Sequence, residues 1–215
     1  MNPEVDYEYL CTPTGDELEP MVAWWNRLES ILGKPIIRLQ AKAESLDNLI
    51  QIMNALPNHR QRWCTRILKI EPTIAWCIRN APITMYVGLR ADEEEREGIY
   101  GPYVKSVYPF REIGWTIDMV YYYLEQKGLR DCIPDRTDCA RCYGQRIIEW
   151  WRLWKYYPDK YASAVAQEKM TGRTFRSAKR DTWPAGLAEL AKEFERGRPI
   201  RGFKDDRQTC RVCSL

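Results

Sequence analysis

The sequence predicts an α/β protein: a mostly parallel sheet flanked by helices, followed by a helical, cysteine-bearing C-terminal lobe. Three observations carry this expectation. Short β-prone runs alternate with segments of helical periodicity through the first half of the chain. Helical periodicity dominates the second half. The 215 residues and 45% hydrophobic content suffice for one sizeable core and sit near the globular average.

Taken in order, Tyr7–Cys11 reads as a first strand, ended by the turn Thr12-Pro13-Thr14-Gly15-Asp16. A helix follows from Pro20, with Met21, Trp24, Trp25, Leu28, Ile31 and Leu32 at helical spacing and Gly33 as its stop. Pro35–Leu39 reads as a second strand. Ser45 caps a short helix carrying Leu46, Leu49, Ile50 and Met53. A further helix runs from Gln61 to Arg79, which Pro72 must kink or break. Ile83–Gly88 is the clearest strand. Helices are then expected near 115–126, 145–156, 159–171 and 184–196, with a charged tail from Gly197. The α/β core is drawn over 1–128 and the helical lobe over 129–215, as parts of one domain.

No apolar run approaches the roughly 20 residues of a membrane span, and Met1–Asp6 lacks the pattern of a signal peptide. A cytoplasmic, reducing location is therefore expected, with eight cysteines serving metal or redox chemistry rather than disulfides. Net charge is only +3. The last 45 residues hold 11 Lys/Arg against 6 Asp/Glu, a bias that suits either a solvated face or a phosphate-bearing partner. A nucleic-acid partner is one reading of this bias.

The strongest local signal is a pair of CxxC motifs, Cys139/Cys142 and Cys210/Cys213. Two residues between thiolates let both reach one ion, and two such pairs complete a tetrahedral zinc site. With 67 intervening residues, that site would be a tertiary clip rather than a zinc finger.

Three ordered segments resemble the phosphoadenosine-phosphosulfate (PAPS) reductase family of adenine-nucleotide α-hydrolases. Leu10–Leu18 is similar to the family's Asp-Thr-Gly-x-x-Phe-Pro-Glu-Thr turn. Arg62–Pro72 resembles its Cys-Cys/Thr-x-x-x-Lys-x-x-Pro helix, with Cys64, Lys69 and Pro72 in the matching places. Val87–Arg96 looks like its Gly-x-Arg-x-x-Glu-Ser-x-x-Arg segment. Further stretches (Arg136–Tyr143, Glu149–Trp151, Thr174–Arg176 and Cys210–Cys213) look like a subgroup common in phages and prophages.

The resemblance implies a Rossmann-like fold and an adenine nucleotide or sulfonucleotide as substrate. Thr14, Gly15, Lys69, Gly88, Arg90 and Arg96 fall on its nucleotide-side segments. The arginines offer a planar fork to phosphate or sulfate, although Asp92–Glu95 are equally available to pair with them. The resemblance also implies a second metal option, a [4Fe-4S] cluster held by Cys64 and Cys132 with Cys139 and Cys142. Thr65 stands where the family has a second cysteine. The family's Ser-Gly-Gly-x-Asp-Ser pyrophosphate loop is not found. The expectation is that a partner protein supplies it, that the start is truncated, or that activity has been lost. The last case would leave a metal-stabilised binding subunit of a phage or defence-related assembly. Lone His59 reads as a solvated loop residue, Asp16 and Glu17 as a helix N-terminal charge pair, and Cys11 and Cys77 as small buried hydrophobes.

Overall fold

The computed structural model describes residues 5–43, 45–93, 104–134 and 136–200. Strand β1 (Tyr9–Cys11), helix α1 (Glu19–Leu32) and strand β2 (Ile36–Arg38) form a parallel β-α-β unit, with Tyr9 opposite Ile36 and Cys11 opposite Arg38. Strands β3 (Ile83–Tyr86) and β4 (Val104–Val107) make a second parallel pair. Among the described residues these remain two separate two-stranded sheets, not one doubly wound sheet. Strands of three or four residues offer few ladder positions. The sheets approach through side chains instead, Tyr7 meeting Tyr86 edge-on at 5.2 Å. The chain is thus mixed α/β with parallel strands, as expected. β4 was not foreseen, although Val104-Lys105-Ser106-Val107 carries β-branched residues at both ends.

Helix α1 ends at Gly33, whose φ of 65° is the left-handed conformation a C-cap glycine supplies. Its apolar stripe is less covered than the periodicity suggests, since no α1 residue is fully buried. Helix α2 (Leu46–Met53) starts where Ser45 Oγ accepts the Asn48 N–H at 3.2 Å.

The segment around Pro72 continues rather than breaking. Helix α3 (Trp63–Thr65) passes through one π-helical stretch (Arg66–Ile70) into α4 (Glu71–Asn80). Pro72 has no N–H to give to the carbonyl four residues back. The Glu71 N–H reaches the Arg66 carbonyl, five residues back, which absorbs the irregularity as a π turn.

Helices α5 (Pro109–Glu112) and α6 (Ile117–Gln126) follow β4. Helices α7 (Ile147–Tyr156), α8 (Pro158–Thr171) and α9 (Leu187–Glu195) build the C-terminal lobe close to the expected ranges. Trp150, wholly buried, packs against Tyr161 of α8 and against Phe175. The same apolar cluster takes in Leu46, Leu49 and Ile50 of α2 and Leu68 of the π turn. The lobe therefore shares a core with the first half of the chain, and this places the cysteine loop between them.

Candidate functional site

The turn after β1 is a rigid platform. Gly15 adopts φ 71°, a conformation open to glycine at no steric cost. Glu17 Oε1 accepts both the Thr14 N–H and the Thr14 hydroxyl at 2.7 Å. The Thr14 carbonyl accepts the Leu46 N–H at 2.8 Å, tying the turn to the start of α2.

Onto this platform docks the Cys139-Ala140-Arg141-Cys142 loop. The Ala140 N–H donates to the Asp16 carbonyl at 2.6 Å, and the Arg141 N–H to Asp16 Oδ2 at 2.9 Å. The Arg141 guanidinium then grips Asp16 Oδ1 through Nε at 3.0 Å and Nη2 at 2.5 Å. Its remaining donors reach Asp47 at 2.6 and 2.9 Å and the Ser163 hydroxyl at 3.0 Å. One side chain inside the CxxC motif thus joins the turn, α2 and α8. Burial works against the Arg141 charge, but hydrogen bonds to Asp47 and Asp16 outweigh it and raise its pKa above the usual value.

The Asp16/Glu17 expectation needs correction. Helix α1 begins at Glu19, and Asp16 is fully buried as the Arg141 partner, with Lys160 Nζ 3.7 Å away. Both partners were visible in the sequence, but nothing local relates residues 125 positions apart.

Between the platform, the loop and the π turn lies a cavity of about 20 Å³. Cys64, Cys139 and Cys142 line it, with Thr14, Thr65 and Lys69. The Thr14 hydroxyl is 3.2 Å from Cys139 Sγ, and the Gly144 N–H donates to Cys142 Sγ at 3.4 Å. Thr65 Oγ1 is buried with no hydrogen-bond partner among the described residues. The donor set suits a thiophilic ion such as zinc or iron. The spacing is not that of a closed site: among the described residues, no three Cys, His, Asp or Glu side chains stand where they could hold a metal ion.

The other expected site residues fall elsewhere. Cys132 is exposed and faces a second, larger cavity, so the Cys64/Cys132/Cys139/Cys142 set is not brought together. The physical reason is that Cys132 ends a 3-10 turn (Arg130–Cys132) ahead of the loop, and that turn lines the large cavity. Cys139, Arg141 and Cys142 look onto the small cavity, and Ala140 onto the large one. Gly88 and Arg90 sit beyond β3, outside the small cavity's lining. Arg90 is ion-paired with Asp92 at 2.9 Å and Glu93 at 3.2 Å. Cys210, Cys213 and Arg96 lie outside the described residues.

His59 is exposed and meets the edge of Tyr143, a residue of the small cavity, at 5.0 Å. Cys77 is fully buried, and burial pushes the half-buried Cys11 thiol up to about 11. No helix among the described residues is long and apolar enough to cross a membrane. Compared with protein-family models, curated proteins and solved structures, the chain matches none.

Proposed function

We propose that the chain is a PAPS reductase-like protein that handles an adenine nucleotide or an activated sulfur group beside a thiolate-held metal centre. The observation that carries this reading is the small cavity. Cys64 and Lys69, from one helical segment, meet Cys139 and Cys142, from a loop about 75 residues away in sequence, around the Thr14 turn. Thiols, a lysine and a tight Thr-Gly turn in one recess combine soft metal ligands with an oxyanion-binding cation. In this reading Lys69 would orient a phosphate or sulfonate, Thr14 would hold the Cys139 sulfur in place, and Arg141 would fix the loop. A Rossmann-like ancestry of the parallel β-α-β unit belongs to the same proposal.

A second reading has its own support. A cavity of about 20 Å³ holds roughly one water-sized guest, which favours a single ion over a four-iron cluster. A single zinc would make the centre a structural clip, and the chain a metal-stabilised binding subunit of a phage or defence-related assembly. Metal analysis and a visible spectrum of anaerobically purified protein test both. Bound metal that is lost in Cys64→Ser and Cys139→Ser supports the centre. Zinc without visible absorbance selects the clip, and iron with sulfide selects the cluster. Protein free of metal under these conditions overturns both.

A further inference from the structure

The larger cavity lies on the other face of the CxxC loop, with a volume of about 750 Å³. That is the size of a small-molecule site. Nothing in the proposed metal centre uses it. We propose that it binds a neutral, planar heteroaromatic ligand of nucleoside size.

The walls argue for the shape of the guest. Trp151, Tyr156 and Tyr157 supply flat aromatic surface from α7 and its end, and Leu18, Ile133 and Ile148 add aliphatic surface to the lining. Such walls take a planar ring by stacking and apolar contact. The charges argue for its neutrality. The lining holds two cations, Arg136 and Arg152, and two anions, Asp131 and Glu149, which cancel. Arg136 is moreover committed, with Nη1 2.7 Å from Glu149 Oε1 and both Nε and Nη2 donating to the Cys139 carbonyl. The lining residues therefore carry no net charge, and the nearby Lys155 ammonium is engaged by the Trp151 ring at 4.7 Å and the Tyr156 ring at 5.2 Å.

One polar group argues for the hydrogen-bonding character of the ligand. Gln145 lines the cavity and is 1% exposed. Its Nε2 donates to the Ala140 carbonyl, whereas its Oε1 has no partner among the described residues. A buried acceptor left unpaired is unfavourable, and a ring N–H or exocyclic amine is the donor that would satisfy it. Purines carry such groups on a neutral plane.

Cys132, exposed at the cavity wall, provides a reporter for the large cavity, as Cys64, Cys139 and Cys142 do for the small one. The experiment measures iodoacetamide alkylation of each cysteine in the full-length protein by mass spectrometry, with and without adenosine. Adenosine is expected to slow Cys132 alkylation and to leave Cys64, Cys139 and Cys142 unchanged. Tyr156→Ala, at an exposed position, and Trp151→Ala should each weaken that protection about tenfold, the loss expected on removing a stacking side chain. The protection should persist at high salt, because a neutral ligand is not screened. Absence of Cys132 protection, protection of the other three thiols instead, protection surviving both variants, or steep salt dependence would each overturn the proposal. None of these outcomes depends on whether the thiols bind metal, so the two proposals fail separately.

Discussion

Arg141 is the residue on which the site's geometry turns. It is 3% exposed and its partner Asp16 is fully buried, so truncating it strands a carboxylate in the interior. Arg141→Ala is expected to cost about 3–5 kcal/mol, the range for breaking a buried pair, and urea unfolding would measure it. Asp47, the second partner, gives a pH signature. Its carboxyl is held below the usual range, chiefly by the hydrogen bond from Arg141 and despite burial that raises it. Its folded pKa thus lies below the unfolded value of about 3.9. The stability it contributes is complete above that value and is lost as pH falls through the folded one. Asp47→Asn should therefore flatten the decline in urea midpoint on acidification below about pH 4. Thr65 allows a third test, of the proposed centre. Its buried, unpartnered hydroxyl lines the thiol cavity, so Thr65→Cys should add a fourth thiolate and tighten zinc binding by about tenfold or more. Competition with a chromophoric chelator reads this directly. A Thr65→Cys protein that binds zinc no better would count against a centre at that place.

Among the elements, the α3–π–α4 segment carries the most consequence. Pro72 removes one helical N–H just after the π turn, and the π turn contains Lys69 and follows Cys64 by two residues. Each residue advances a regular helix by about 100°, so the extra residue decides which side chains face the cavity. Pro72→Ala restores the missing N–H and permits a regular α-helix. It should leave global stability within about 1 kcal/mol of the parent, while changing the alkylation rate of Cys64. An unchanged rate would show that the turn does not set the thiol's orientation. Helix α2 offers a simpler check of the cap that anchors it beside Thr14. Ser45→Ala removes the acceptor for the Asn48 N–H and should cost about 1 kcal/mol in urea unfolding. That cap was legible in the sequence, because a serine ahead of an apolar run names its own hydrogen bond. The π turn was not. Proline announces a lost bond, but whether the helix breaks, kinks or widens depends on what packs around it, here Leu68 in the shared core.

For the molecule as a whole, the shared core explains why the cysteine loop is held at all. Trp150 is fully buried where α7, α8 and Phe175 meet, and the same cluster reaches Leu49 and Ile50 of α2. Periodicity alone was enough to foresee the helices of the lobe and their apolar faces, since 3.6-residue spacing writes itself into the chain. The CxxC spacing likewise marked Cys139 and Cys142 as thiols worth following, and the resemblance to the PAPS reductase family added Cys64. The sheet was less readable: β4 was missed and the two strand pairs stay apart among the described residues, because short strands owe their pairing to distant partners. Helix positions, helix caps and the inventory of reactive groups were legible in the chain because each is a property of a few neighbouring residues. Packing alone fixed that Cys132 turns away from the other thiols, that Asp16 belongs to Arg141, and that two cavities back onto one loop. Those outcomes depend on groups brought together by packing from opposite ends of the chain, and the free energy that selects them has no signature in any local window.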